Sequence, residues 1–511
     1  MVHNTATTPI VQWQRLSPLS FLYYFMKFIG AFFKQGIQGL LPLIAVAITF
    51  GKSRWEIIVI ILIGLMLLLL TIALLSYIKF RFKISEDTVL IRSGILKKKR
   101  LSLNFDRIQN ITFKEPLYFR PFKLVIMVIE SAGSSAQEIS LGGIQRDLAQ
   151  SIHDTVMNHK SDDSISLENT NETNTPKKSA QENIIKQPIS ELVFYGLTNN
   201  NIWVFAGALA GVLSQIKTDD LSYFNYIKDL IANFIGTESS AIAFYSILGV
   251  LLVIALLLLA SVIGTIIIYY NYHLTRGDGR FYLKKGLFER QETSVLESKI
   301  QSIQISQSWP AKLFKRMTIQ LKQVGFSNKN QPQKSKGQQK FIIPSVRRAF
   351  AQHFTKILMP KFTWDLNTLK PIHLAYLKKK FLIVPLPLCL YPIVVLTLTS
   401  PSIWWWVSLT LPFLWIGIYM VRYQKFGYAT DGQHGIIRSG FLGYKLTIFA
   451  FYKIQSVKII QSPGQRRKAL ADISINLAGT HITLPYIPLA EALTWRDMIL
   501  KEIDTQKIPW M

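Results

Sequence analysis

The chain has 511 residues, of which 49% are hydrophobic and only 17% are charged. Its 58 lysine and arginine residues outnumber the 30 aspartate and glutamate residues, which gives a formal net charge of +28 at pH 7. This combination excludes an ordinary soluble single-domain protein and predicts basic segments separated by nearly uncharged ones, as in a membrane protein. The single cysteine, Cys389, excludes an intramolecular disulfide framework and a cysteine-cluster metal site.

Apolar segments follow one another along the chain in pairs. Residues 55–77 and 241–270 are long enough to cross a bilayer as helices, and they contain almost no ionisable side chains. A shorter apolar segment precedes each of them, and a third pair follows later in the chain. The sequence therefore predicts an α-helical polytopic membrane protein with three transmembrane hairpins, which cover residues 36–77, 191–270 and 381–421.

The distribution of basic residues predicts the orientation of these hairpins. Basic clusters follow each hairpin, at 97–100, 284–285 and 466–468, whereas the link 217–240 inside the second hairpin contains more acids than bases. Positively charged segments remain in the cytoplasm during membrane insertion. We therefore expect both chain termini and the segments after the hairpins on the cytoplasmic side, and residues 217–240 on the other side.

A motif recurs once after each predicted hairpin. It is a glycine at the end of a β-like run, followed 15 residues later by the glutamine of an Ile-Gln pair that opens another β-like run (109 − 94, 301 − 286, 455 − 440). The three copies are Gly94 with Gln109, Gly286 with Gln301, and Gly440 with Gln455. Equal spacing indicates an internal repeat. We expect each glycine to turn a β-hairpin with a positive φ angle.

A helix is predicted at the end of each repeat. Apolar residues recur at helical spacing in all three, and the third stripe is the least regular. These residues are Leu148, Ile152 and Val156, then Phe350 and Phe354, then Leu489, Leu493 and Leu500. The tryptophans Trp309 and Trp495 are interpreted as packing residues. Several short strands closed by one helix predict a small α+β domain.

The predicted domains occupy residues 78–160, 271–360 and 422–511. Residues 1–35 form a cytoplasmic N-terminal segment, and residues 361–380 form a connector before the third hairpin. The stretch 161–190 is rich in Ser, Asn, Thr, Glu and Lys, so we expect a flexible linker that buries too little surface to become ordered.

The hairpins and the repeated motif resemble the bacterial pleckstrin-homology (PH) proteins with membrane-flanked domains, in particular the YdbT-like group. The resemblance covers most of the chain. It implies a PH-like fold for each repeat, an antiparallel β barrel or sandwich capped by a C-terminal helix, at the cytoplasmic membrane of a bacterium. The second repeat departs from the pattern because Lys284 and Lys285 replace the Arg-Ser pair before the glycine, and the third repeat carries His434 near its start.

The sequence contains no group of residues that is typical of catalysis. The eight histidines are scattered, and the chain has no His-Glu-x-x-His motif, no Gly-x-Gly-x-x-Gly motif and no phosphate loop. We therefore expect a non-enzymatic protein without a cofactor or a metal. The alternative is a membrane transporter or export accessory protein, although the predicted spans contain, apart from Glu56, none of the ionisable groups that ion coupling usually needs.

Basic residues beside the repeat glycines form the candidate binding site. Lys97, Lys98, Lys99 and Arg100 follow Gly94, whereas Lys284 and Lys285 precede Gly286. The resemblance implies that such hairpins project from PH-like domains. We expect them to engage anionic lipid of the bilayer or a protein partner in the same membrane. The alternative is a solvated face that only follows the positive-inside bias. Nucleic acid is not expected as a partner, because no recognition motif accompanies the charge.

Overall fold

The structure is a computed structural model, and it describes residues 12–34, 55–85, 87–95, 97–131, 138–165, 182–199, 206–207, 239–323, 341–362, 369–383, 403–478 and 480–505. In these residues the strands are β1 (Arg81–Ile84), β2 (Thr88–Ser93), β3 (Lys99–Asn104), β4 (Ile108–Pro116), β5 (Leu124–Ser131), β6 (Glu138–Gln145), β7 (Glu182–Lys186), β8 (His273–Gly277), β9 (Arg280–Lys285), β10 (Glu289–Leu296), β11 (Ile300–Gln307), β12 (Met317–Gln323), β13 (Phe341–Val346), β14 (Lys370–Pro371), β15 (Gly427–Thr430), β16 (His434–Ser439), β17 (Tyr444–Ala450), β18 (Ile454–Ile460), β19 (Leu470–Leu477) and β20 (Thr480–Pro488).

The helices of the same residues are α1 (Ser20–Lys34), α2 (Trp55–Lys79), α3 (Arg146–Ile165), α4 (Ile189–Thr198), α5 (Ser239–Tyr269), α6 (Trp309–Leu313), α7 (Arg348–Leu358), α8 (Ala375–Ile383), α9 (Ile403–Lys425), α10 (Pro463–Arg466) and α11 (Leu489–Thr505). The first repeat contains β1 to β6 and α3, the second β8 to β13 and α7, and the third β15 to β20 and α11.

The strands form two small and two large antiparallel sheets. Strands β1, β2 and β3 make one three-stranded sheet, and β18, β19 and β20 make the other. The seven-stranded sheets have the orders β6-β5-β4-β10-β9-β8-β7 and β13-β12-β11-β17-β16-β15-β14. Each large sheet therefore joins the second half of one repeat to the first half of the next.

The junction in the first large sheet is the pair β4 and β10. The strands are antiparallel, from Glu289 opposite Pro116 to Thr293 opposite Thr112. The hydroxyl oxygens of Thr112 and Thr293 are 3.4 Å apart across this junction, and Arg146 of α3 donates to Glu292 at 2.9 Å. In the second large sheet the pair β11 and β17 makes the same kind of junction. The chain therefore does not form three separate, closed PH-like domains.

The chain divides into two compact units. One comprises residues 1–186, 201–260 and 267–294, and the other comprises residues 187–200, 261–266 and 295–511. The core of the first unit includes Phe82, Leu103, Ile129, Ile152 and Val156, all of which are buried. The core of the second unit packs α11 onto its three-stranded sheet and includes Phe451, Ile473, Leu484, Trp495 and Ile499.

The fold class predicted from hydropathy, a helical polytopic protein with three transmembrane hairpins, was wrong. The described residues are rich in antiparallel sheet, and among them one helical segment, Ile247–Tyr269, is long and apolar enough to cross a membrane. Ile63–Lys79 within α2 is a shorter apolar segment. Helix α9 contains Pro412 and ends in the basic residues Arg422 and Lys425. The described parts of the predicted spans, in α2, α5 and α9, are indeed helical, but an apolar composition alone does not show that a helix crosses a membrane.

Several predicted segments lie partly or wholly outside the described residues. These are the apolar segments 36–50, 201–216 and 381–399, the link 217–240 and most of the predicted linker 161–190. Two parts of that linker are described: α3 continues to Ile165, and β7 pairs with β8 at the end of the first large sheet.

The terminal helices of the repeats pack as amphipathic helices, but not always through the predicted residues. In α3, Ile152 and Val156 are buried as expected. In α11 the buried residues are Ala492, Trp495 and Ile499, whereas Leu500 is 52% exposed. The packing role of Trp495 is confirmed. The packing role of Trp309 was wrong, because its side chain is 56% exposed.

Candidate functional site

The hairpin between β2 and β3 carries the predicted basic run. Ser93 lies opposite Lys99 and Arg92 lies opposite Arg100, so the turn follows Ser93 and ends before Lys99. Lys97, Lys98, Lys99 and Arg100 are all exposed. In the part of the chain that the structure describes, none of these four side chains has a carboxylate partner. The run therefore presents four solvated cations on one hairpin.

The tight turn in this hairpin depends on Gly94. Its φ angle is +104°, and a Cβ atom placed there would lie 2.0 Å from the carbonyl oxygen of Lys97. A side chain would therefore require the turn backbone to move. Gly286 has the same geometry, with a φ angle of +109° and a hypothetical Cβ atom 2.0 Å from the carbonyl oxygen of Glu289. The prediction of a positive φ angle is confirmed at these two glycines.

The first hairpin also contains an arginine that the prediction missed. The guanidinium carbon of Arg92 lies 4.0 Å from the centroid of the Trp13 ring, which is a cation–π geometry. Arg92 belongs to the Arg-Ser-Gly part of the motif, and that was the available signal. Trp13 is far away in the sequence, so its contribution could not be predicted from spacing.

The second hairpin uses its two lysines within the protein. Lys284 Nζ lies 3.5 Å from Glu292 Oε1. Lys285 is half-buried, with its Nζ 4.7 Å from the centroid of the Tyr269 ring. Burial, with a smaller contribution from the positive charge of Lys114, lowers the pKa of Lys285 to about 8. The two lysines that were predicted to be ligand-binding residues therefore differ from the solvated run in the first hairpin.

The tip of the second hairpin is attached to the end of the apolar helix α5. The backbone N–H of Gly286 donates to the carbonyl oxygen of Tyr270 at 2.8 Å, and the N–H of Leu287 donates to that of Ile267 at 3.0 Å. These bonds satisfy carbonyl groups at a helix end, which have no partner within the helix. The next residue, Phe288, is 51% exposed. Backbone hydrogen bonds thus attach the second hairpin directly to the end of α5.

The third hairpin turns in a different way. Gly440 does not have a positive φ angle, so the prediction was wrong there. The loop covers residues 440–443, and a Cβ atom on Gly443 would lie 2.1 Å from the carbonyl oxygen of Gln307. Lys425 Nζ donates to the carbonyl oxygen of Leu442 at 2.9 Å. This hairpin has no run of exposed cations comparable to that at residues 97–100.

The glutamines of the Ile-Gln pairs do not share one environment. Gln301 is fully buried in β11, and its side-chain amide has no hydrogen-bond partner among the described residues. Gln455 is exposed on β18. The side chain of Gln109 lies outside the described residues. The difference follows from topology, because β11 is an inner strand whereas β18 is the edge of its sheet. The spacing marks equivalent strands, not an equivalent function of the side chains.

A second basic surface, which the prediction missed, lies on α8 and α9. Lys380 Nζ is 6.0 Å from the Tyr376 ring centroid and 5.9 Å from that of Tyr419, and the Arg422 guanidinium carbon is 5.8 Å from that of Tyr419. Beside them is an apolar cavity of about 290 Å³. It is lined by Leu377, Lys378, Phe381, Ile416 and Tyr419. The sequence signal was the run of three lysines at 378–380, followed directly by apolar residues.

Comparison with known proteins connects this arrangement to a family. The family model described as Bacterial PH domain matches residues 30–160, 230–359 and 381–503, which contain the three repeats. The chain is 23% identical over 446 residues to the UPF0699 transmembrane protein YdbT of Bacillus subtilis (strain 168), and the match covers 84% of each chain. The resemblance inferred from the repeated motif is confirmed. With its apolar helix α5 and its repeated hairpins, the chain belongs to the Bacterial PH domain family and is a membrane-associated PH-domain protein.

Proposed function

We propose that the protein is a non-enzymatic binding protein, anchored in the membrane, whose first hairpin binds the headgroups of anionic lipids on the cytoplasmic side. The single observation that carries this proposal is the exposed run from Lys97 to Arg100 on a glycine turn. Within the described residues these cations have no carboxylate partner, so they are available to bind an anion outside the chain. Each Lys or Arg close to an anionic bilayer contributes about 1 kcal/mol.

The basic residues that follow α5 support the proposed cytoplasmic side. Lys284 and Lys285 follow the apolar segment Ile247–Tyr269 within one hairpin, and Gly286 is bonded to the end of that helix. Basic residues close after an apolar span favour the cytoplasmic side. The exposed side chains of α5, such as Ile247, Leu252 and Leu256, supply an apolar surface for the hydrocarbon core. The lysines of α8 add a second place where anionic headgroups meet aromatic and apolar side chains.

The test uses the full chain, because β4 of the first repeat is paired with β10 of the second and an isolated first domain would lose that partner. The protein is reconstituted in vesicles that contain phosphatidylglycerol with a photoreactive headgroup. Labelling is then mapped to peptides. The variant replaces Lys97, Lys98, Lys99 and Arg100 together by glutamine, and the matched control replaces the basic run Arg466, Arg467 and Lys468 by glutamine.

We expect labelling at the first hairpin to fall at least about tenfold in the variant with four substitutions. The four cations contribute roughly 4 kcal/mol of binding free energy at most, and salt screens part of this attraction. The control should keep that labelling, and added salt should reduce it in the unmodified protein. Equal labelling of the variant and the unmodified protein would show that the run is a solvated face, and specific binding would then have to involve a protein partner on another surface.

A further inference from the structure

The two junctions between successive repeats have the same strand register. In the first large sheet, Glu289 is three residues after Gly286, and it faces Pro116, which is seven residues after Gln109. In the second, Tyr444 is four residues after Gly440, and it faces Gln307, which is six residues after Gln301. The two offsets add to ten in both sheets. The repeat therefore specifies how the third strand of one repeat pairs with the fourth strand of the repeat before it.

In the part of the chain that the structure describes, one third strand and one fourth strand have no partner from another repeat and lie at sheet edges. β3 is the third strand of the first repeat, equivalent to β10 and β17, and it ends the sheet β1-β2-β3. β18 is the fourth strand of the third repeat, equivalent to β4 and β11, and it ends the sheet β18-β19-β20. An edge strand offers a row of backbone N–H and C=O groups to another chain.

The side chains of both edges are accessible. In β3 only Leu103 is buried, while Lys99, Arg100, Ser102 and Asn104 are exposed. In β18 only Ile454 is buried, and Ile460 at its end is 53% exposed. The equivalent inner strand β11 is almost completely buried. Pairing of the edge β18 would give it the environment that β11 already has.

We propose that β3 of one copy pairs antiparallel with β18 of a second copy, in the register that the two internal junctions share. In this register the offset from the glycine and the offset from the glutamine add to ten. Leu101, seven residues after Gly94, therefore lies opposite Lys458, three residues after Gln455. The register likewise places Lys99 opposite Ile460 and Ser102 opposite Val457. The partner is a second copy of this chain, because a copy carries the complementary edge strand, and within one chain β3 and β18 end two different sheets and are not paired with each other in the described residues. This proposal does not depend on lipid binding.

The geometry of this contact is head to tail. Each copy that uses its β3 leaves its β18 open, so the contact generates open rows or closed rings. Anchoring by α5 confines copies to one membrane plane and raises their effective concentration for each other. Arg100 and Lys99 on one edge and Lys458 on the other are like charges, and such residues are typical of edges that resist pairing. Their repulsion is screened by salt, so association should increase as the ionic strength rises.

The experiment uses disulfide trapping in the full chain on a Cys389→Ser background, which leaves no other cysteine. One preparation carries Ser102→Cys and another carries Val457→Cys. They are reconstituted together in vesicles and oxidised. The matched control combines Arg100→Cys with Val457→Cys, a pair that is two residues out of register and so too far apart for an unstrained bridge.

We expect a disulfide-linked heterodimer from the mixed in-register pair, at a yield several times that of the out-of-register pair and of either variant alone. The yield should increase with salt. Equal yields from the two mixtures, or no heterodimer, would overturn the proposal. The unmodified protein provides a second measurement: its molar mass in detergent should rise with concentration, and a constant monomer mass across the accessible range would also contradict the proposal.

Discussion

Replacement of Gly286 by alanine tests whether the second hairpin depends on a turn that only glycine can form. The φ angle of Gly286 is +109°, and a Cβ atom there would lie 2.0 Å from the carbonyl oxygen of Glu289. Glu289 begins β10 and faces Pro116 in β4. The substitution therefore has to shift the first pair of the junction between two repeats, as well as force alanine into an unfavourable backbone conformation.

Gly279 provides the matched control in the neighbouring turn. Its φ angle is +67°, and a Cβ atom there would meet nothing within 4 Å. Gly279→Ala should cost about 1 kcal/mol, the usual cost of a left-handed conformation for a residue with a side chain. Gly286→Ala should cost about 3 kcal/mol, because the steric conflict is added to the backbone strain. The difference of about 2 kcal/mol corresponds to roughly a 30-fold change in the local opening equilibrium.

Amide hydrogen exchange of the full chain measures this opening in peptides from β9 and β10. The local readout is needed because a chain with two compact units has no single free energy of unfolding. We expect much faster exchange in Gly286→Ala than in Gly279→Ala, with α5 unchanged outside its last turn. The same increase in both variants, or no increase in Gly286→Ala, would refute the steric explanation.

Two further predictions concern titratable groups in the second unit. Burial alone would raise the pKa of Glu191, but hydrogen bonds from Arg316 and Ser345 hold it below its usual value. The stabilisation by ionised Glu191 is therefore present above about pH 4.5 and is lost as the pH falls through the lowered pKa. Glu191→Gln should cost about 2 kcal/mol of stability at pH 7 and should make amide exchange in α4 depend less on pH in the acid range. An unchanged acid dependence of exchange would contradict this. Burial lowers the pKa of Lys453 to about 8, while its Nζ donates to the carbonyl oxygens of Ser298 and Ile300 at 3.1 and 2.6 Å. Because the unfolded chain binds the proton more tightly, the stability of the second unit should rise between pH 8 and about 10.5 relative to that of the Lys453→Met variant, as measured in the thermal transition of this unit. A constant difference between the two proteins over this range would show the assignment to be incorrect.

Local patterns predicted the repeat and two of its turns, since they depend on residues close together in the sequence. At Gly94 and Gly286 a Cβ atom would collide with the carbonyl oxygen of the residue three positions later. Because this constraint is local, the recurrence of glycine at these positions predicted the turns correctly. The turn at Gly440 differs because the third hairpin approaches Gln307 through Gly443. That approach involves a strand from the previous repeat, which no pattern around Gly440 indicates.

Contacts between repeats explain most of what was not predicted. Lys284 looked like a ligand-binding residue beside Lys285, but Glu292 on the adjoining strand is its partner, and Glu292 also accepts from Arg146. Gln301 and Gln455 occupy the same position in the motif, yet one is buried and the other is exposed, because only β11 has a strand from the next repeat beside it.

The shared sheets impose an order on synthesis. β4 ends at Pro116, but its partner β10 begins at Glu289, after the apolar helix α5 has been made. At about 5–20 residues per second, the ribosome needs roughly 10–35 s to add the intervening chain. During that interval the edge of β4 is open to chaperones or to other nascent chains. Synthesis of α5 therefore comes before completion of the first large sheet, and a delay in the synthesis of the chain after α5 should prolong the exposure of this edge to aggregation.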